Sequence, residues 1–206
     1  MSQSRIAPSP VRGSVTRTRR FLMLAVLLLT ASEAEAQKPR KGFILNLGAG
    51  PAFTNFKFAG DGFEGSGESK IAVGTDFKIG YAASDQLMIY YSNDAAFFSY
   101  DIGVAGFDDY LVASGLSGLG ATWFLKPRAP SAYLDATIGI AAWNEISTDD
   151  GTVDGITGAG LSVGGGLEFA RHWLADGELI VGRPRGDFDE GYNIMTLRVG
   201  LIWLLY

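Results

Sequence analysis

The sequence predicts an all-β protein: an eight-stranded antiparallel up-and-down transmembrane β-barrel, preceded by a cleaved signal peptide. Three observations predict it. Large apolar residues alternate with small or charged ones along most of the chain after residue 41, giving each strand two chemically different faces. Short turns and long polar loops join the strands in alternation, the asymmetry of barrels that cross a membrane with strands. The final stretch, Asn193 to Tyr206, sets Leu197, Val199, Leu201, Trp203 and Leu205 against Thr196, Arg198 and Gly200, then stops on an aromatic residue.

The chain has 206 residues, 28 glycines, no cysteine and a net charge of −5. That length suits one domain. Without cysteine there is no disulfide framework and no thiolate metal site. Arg12, Arg17, Arg19 and Arg20 precede an apolar run from Phe21 to Leu29, and Ala34-Glu35-Ala36 follows. A basic region, an apolar region and A-x-A make a secretory leader, with cleavage expected after Ala36. This divides the chain into a signal peptide, 1–36, and a barrel, 37–206. The apolar run is too short for a spanning helix, which takes ~20 residues. The leader holds five Arg and two Glu, so its removal takes the net charge from −5 to −8. That acidity disfavours nucleic acid as a partner.

The strands follow in order. From Gly42, Phe43, Leu45, Leu47 and Ala49 alternate with Ile44, Asn46, Gly48 and Gly50. Lys57 to Ser69 is glycine-rich and charged, which predicts a loop. Lys70 to Ala82 alternates most clearly: Ile71, Val73, Thr75, Phe77, Ile79 and Tyr81 against Ala72, Gly74, Asp76, Lys78 and Gly80. After a tight turn at Ala83-Ser84-Asp85, Gln86 to Tyr100 is bulky on both faces, and its register stays open. Asp101 to Asp108 is a polar loop; Asp109 to Leu125 sets Leu119, Ala121 and Trp123 against Gly118, Gly120 and Thr122.

Pro127 and Pro130 mark the next turn, since proline cannot donate to a ladder. Ser131 to Trp143 opposes Leu134, Ala136, Ile138 and Ile140 to Asp135, Thr137, Gly139 and Ala141. Asn144 to Asp154 predicts a loop; Gly155 to Ala170 sets Leu161, Val163, Leu167 and Phe169 against glycines, Ser162 and Glu168. Arg171-His172 is a short turn, and Trp173 to Gly182 carries Asp176 and Glu178 on a face that Ile180 interrupts. Arg183 to Glu190 is the last loop.

Aromatic residues gather at both ends of these strands. Phe43, Tyr81, Trp123, Phe124, Tyr133, Phe169, Trp173, Trp203 and Tyr206 lie near the short turns; Phe53, Phe56, Phe97, Phe98, Tyr100, Tyr110, Trp143 and Tyr192 lie near the long loops. Two aromatic bands predict two membrane interfaces. The stretches K-G-F-I-L-N-L-G-A-G, G-L-G-A-T-W-F, G-G-G-L-E-F-A-R-H-W and the terminal strand resemble the small outer-membrane β-barrel superfamily typified by OmpA and OmpX. The resemblance covers nearly all of the chain after the leader. It implies a monomer in the outer membrane of a Gram-negative bacterium, exported by the Sec pathway, with lipid and lipopolysaccharide as partners. Members usually end on an outward Phe, whereas Tyr206 is out of phase with Trp203 and Leu205.

The face opposite the apolar one carries Asp76, Lys78, Asp135, Glu168, Asp176, Glu178 and Arg198, with Asp94 as a further candidate. An eight-stranded barrel has room inside for side chains and little else. Enclosed charges must pair, so these residues predict a structural, salt-bridged lumen in which Lys78 and Arg198 face carboxylates. The competing reading is a narrow cation or proton path. Inward glycines, including those in Gly158 to Gly166, leave space for long charged neighbours; they lack the G-x-x-x-x-G-K-[ST] of a phosphate loop. No catalytic residue, metal ligand or cofactor site emerges. His172 is the only histidine and falls in a short turn, at the end away from any outer-leaflet substrate of a lipid A-modifying barrel enzyme. Asp176 and Glu178 lack the cleft that paired catalytic carboxylates need. Ser147 to Asp154 has calcium-type oxygens without the EF-hand pattern. The long loops are acidic (Asp61, Glu64, Glu68; Asp101, Asp108, Asp109; Asp187, Asp189, Glu190) and the short turns basic. The expectation is a non-enzymatic barrel with a structural or surface-interaction role through acidic extracellular loops, its rim meeting divalent cations among lipopolysaccharide.

Overall fold

The structure, a computed structural model, describes residues 39–60, 63–100, 110–147, 151–186 and 190–206. Its strands are β1 (Gly42–Gly60), β2 (Phe63–Glu64), β3 (Glu68–Ala82), β4 (Leu87–Tyr100), β5 (Tyr110–Phe124), β6 (Ser131–Ser147), β7 (Val153–Ala170), β8 (Trp173–Arg185) and β9 (Gly191–Leu205). Each long strand pairs antiparallel with its chain neighbour, and β9 returns to β1, so eight strands close into an up-and-down barrel. Two-residue β2 folds back on the end of β1 and stands outside the closed ring. The leader, residues 1–36, lies outside the described residues, as do Asp61, Asp101, Asp108, Asp109, Asp187 and Asp189 of the acidic loops.

Closure leaves the eight-stranded ring without a free edge, so the backbone groups of the wall are met largely within the barrel. The β1–β9 ladder lapses between Ala49↔Leu201 and Ala52↔Arg198. Pro51 sits in that gap and has no N–H to donate. The strands are longer than the ~9–11 residues that cross a bilayer. Segments predicted as loops continue the ladders instead: Lys57 to Gly60 belong to β1, Asn144 to Ser147 to β6 and Arg183 to Arg185 to β8. Polar composition does not end a strand while its neighbour still offers ladder partners.

The alternation resolves into two environments. Ile71 is 77 % exposed and Ile138 75 %, while Asp76 and Arg198 between such residues are 2 % and 1 % exposed. Oily side chains cover the outside and ions fill the inside, the inverse of a water-soluble barrel. In β4, Ile89, Tyr91 and Phe97 point outward, while Met88, Tyr90, Asp94 and Phe98 are buried. That settles the open register. Ile180 is buried in the lumen beside Glu178, so it fills the interior face rather than breaking it.

The aromatic expectation needs correcting. At the short-turn end Phe43, Tyr81, Trp123, Phe169, Trp173 and Trp203 do face outward and form a girdle. Phe124, Tyr133 and Tyr206 face inward there. At the long-loop end Phe53 and Phe97 face outward. Phe56, Phe98 and Trp143 are instead buried inside, with Tyr100 and Tyr192 packed against them. Height along a strand says nothing about face; only the parity of the residue does.

Candidate functional site

The lumen is stacked in layers. At the short-turn end Ile44, Phe124, Tyr133, Leu174 and Leu204 form an apolar floor. Arg40, just before β1, lies within it at 1 % exposure. Its Nε donates to Glu168 Oε2 at 2.8 Å and its Nη1 to the carbonyls of Asp85 (2.9 Å) and Lys126 (3.0 Å). The guanidinium stacks 3.9 Å from the Phe124 ring centre. Tyr206 completes the group by donating its hydroxyl to Glu168 Oε1 at 3.0 Å. Burial, with Glu168 alongside, pushes the Tyr206 phenol up to about 12, so it is a donor at neutral pH. The final residue therefore runs in phase with the inward face and caps the barrel, in place of an outward aromatic.

Above the floor lies the ionic layer. Lys78 Nζ stands 2.8 Å from Asp135 Oδ2 and 3.2 Å from Asp76 Oδ2. Arg198 Nη2 reaches Asp76 at 2.7 Å, Asp176 at 3.0 Å, Glu178 at 2.5 Å and Asp94 at 3.7 Å. Carboxylates from four strands, β3, β4, β6 and β8, thus converge on two cations. Ser162 donates to Glu178 Oε1 at 2.6 Å, Asn46 to Asp76 Oδ1 at 3.2 Å, and Ser92 to Asp94. Small residues open the space. A Cβ at Gly74 would lie 2.9 Å from Arg198 Cγ and Cδ, and one at Gly164 would lie 2.5 Å from Asp135 Oδ1.

Asp76, Asp94 and Glu178 bring carboxylate oxygens within 4.8 Å of one another, a spacing that could hold a metal ion. Arg198 Nη2 contacts all three and takes the place an ion would need. Above this layer the Thr54 and Thr196 hydroxyls meet at 2.9 Å. An aromatic cluster then fills the mouth: Phe56 lies 4.8 Å from Trp143, and Trp143 stacks on Tyr192 at 4.3 Å. Trp143 Nε1 donates to Glu145 Oε1 at 2.8 Å.

Of the lumen residues singled out from sequence, Asp76, Lys78, Asp135, Asp176, Glu178 and Arg198 come together, and Asp94 joins them. Glu168 stands apart, one layer down with Arg40. Arg40 is the residue that sequence reasoning missed, because it precedes the first alternating segment. The one signal was its position next to a strand start that had to close an end of the barrel. His172 sits in the β7–β8 turn at φ 69°, its Nδ1 2.6 Å from the Leu204 carbonyl.

A closed antiparallel barrel of eight strands, greasy outside and ionic inside, has the architecture of the small transmembrane β-barrels of outer membranes. The chain is similar to several solved structures. Neisserial surface protein A matches with 14 % identity over 80 % of this chain and 96 % of that one, at a TM-score of 0.50. Ail, the attachment invasion locus protein of Yersinia pestis, matches with 13 % identity over 80 % and 99 %, at 0.49. OprG of Pseudomonas aeruginosa matches with 12 % identity over 82 % and 98 %, at 0.47. At 14 % identity the likeness to Neisserial surface protein A is one of fold. No family model matches the chain, and no curated protein does.

Proposed function

We propose that the protein is a non-enzymatic resident of the outer membrane of a Gram-negative bacterium. It is exported by the Sec pathway, loses its leader after Ala36, and works as a monomer. Its role is structural, or one of surface interaction through its acidic loops, and its partners are the surrounding lipid and lipopolysaccharide. The observation that carries the reading is the filled lumen. Arg40, Glu168 and Tyr206 occupy one end, paired charges the middle, and stacked aromatic rings the mouth. A layer of paired ions between two largely apolar layers holds its charges in place, which favours a plug over a path.

The test is conductance of the purified, folded barrel in planar lipid bilayers. The reading expects a silent bilayer. Discrete current steps that grow in Trp143→Ala would establish a narrow channel instead. For the enzymatic alternative, the mass spectrum of lipid A should be the same with and without the protein.

A further inference from the structure

The barrel strands carry six basic residues, and they divide evenly between the two faces. Lys70, Lys78 and Arg198 occupy inward positions; Lys57, Arg183 and Arg185 occupy outward ones. Every carboxylate of the barrel strands falls on an inward position. The outer wall is therefore apolar or neutral except for three cations. All three lie at the long-loop end, on β8 and β1, which flank β9.

The wall beneath them is concave. A groove of about 1010 Å³ runs across β6, β7, β8, β9 and β1. Its lower rung is Ile138, Leu161, Val181 and Met195, neighbours across successive ladders. Ala159 makes the upper rung shallow, between Ile140 and Arg183. Arg183, Asn193 and Lys57 close the groove on the side nearest the loops, with Lys57 paired to Asn193 in the ladder. Arg185 Nη2 donates to Asn193 Oδ1 at 2.9 Å, which holds that amide among the cations. Strands stand ~4.8 Å apart, so two steps from β8 to β1 separate Arg183 from Lys57 by roughly 10 Å. Long side chains across that span can meet the same phosphorylated headgroup.

We propose that this groove is a binding site for one molecule of a phosphorylated, multiply acylated glycolipid of the outer leaflet. An acyl chain lies along Ile138, Leu161, Val181 and Met195, and a headgroup phosphate is held by Arg183 and Lys57. The proposal rests on the outer-membrane reading above and gives that reading's lipid partner a location. Charge complementarity selects the ligand. Arg183 is an outward cation at the long-loop end of the groove, and guanidinium binds phosphate through paired N–H groups. A saccharide headgroup also uses the Asn193 amide.

The test is native mass spectrometry of the folded barrel in detergent, titrated with purified lipid A, enzymatically dephosphorylated lipid A and phosphatidylglycerol. The variants are K57Q/R183Q, which removes the charges, and A159F, which fills the groove. Heat-modifiable gel migration confirms that each has folded. Lipid A should bind the native barrel about tenfold or more tighter than either other lipid, and both variants should lose that preference. Equal binding of phosphatidylglycerol would overturn the glycolipid assignment. Unchanged lipid A binding in both variants would overturn the site. Envelope fractionation of the native protein separates the two levels: recovery in the outer membrane with no lipid A preference sinks the groove alone, whereas absence from that membrane sinks the reading beneath it.

Discussion

Replacing Arg198 by Met probes the ionic layer most sharply. The guanidinium is 1 % exposed, and one nitrogen, Nη2, stands within 4 Å of Asp76, Asp94, Asp176 and Glu178. Met preserves much of the volume and removes the charge. Lys78, already bound to Asp76 and Asp135, would then be the sole cation among the described residues facing this cluster of carboxylates. Breaking a buried pair by deleting one partner costs about 3–5 kcal/mol, because the remaining charge keeps its desolvation cost without its attraction. That is roughly a hundred- to several-thousand-fold in the folding equilibrium. The assay is reversible urea unfolding in lipid vesicles, read by tryptophan fluorescence and by the heat-modifiable band. Adding Asp76→Asn and Glu178→Gln to the Met variant should restore part of the loss, although the same pair alone is destabilising; such non-additivity marks contact. A loss below about 0.5 kcal/mol for Arg198→Met, the scale of a surface substitution, would refute the reasoning.

Other outcomes follow from the same geometry. Trp143→Ala should cost about 3–5 kcal/mol by emptying the aromatic mouth, while bilayer recordings stay silent because the ionic layer remains. Tyr206→Phe removes one hydroxyl donor to Glu168 and should lower the unfolding midpoint by the equivalent of about 1.5–3 kcal/mol. Gly74→Val pushes a side chain against Arg198 and should cost about 1–3 kcal/mol in urea titration. Val163→Arg, on the outer face of β7, should cost up to ~2–4 kcal/mol in lipid if it sits at the midplane; a surface in water would tolerate it.

The barrel was legible because its two solvents differ so strongly. At Lys70 to Ala82, every second residue except Thr75 is oily and the others are small or charged, and both patterns survive in the structure as outside and inside. The meeting of Lys78 and Arg198 with carboxylates follows from the same parity plus the narrowness of eight strands. What stayed hidden lacked that contrast. Segment 86–100 has Tyr90 and Tyr91 adjacent, one inside and one outside, so bulk alone could not assign its faces. Arg40 precedes any alternation, and only the closed three-dimensional end brings it to Glu168, 128 residues away. The upper aromatics were grouped by their position along the strands, which conceals that Phe53 and Phe56 point opposite ways. Strand ends were misplaced wherever polar residues continue a ladder, as at Lys57 and Asn144.

The chain's four tryptophans offer a direct measurement of what surrounds the wall: Trp123, Trp173 and Trp203 face outward and Trp143 is enclosed. Variants retaining one tryptophan each, folded into vesicles of lipids brominated along the acyl chain, report contact with hydrocarbon through quenching. The account predicts quenching of Trp123, Trp173 and Trp203, and little effect of either brominated lipid or aqueous acrylamide on Trp143. Quenching of the three outer residues by acrylamide alone, with brominated lipid leaving them bright, would contradict it.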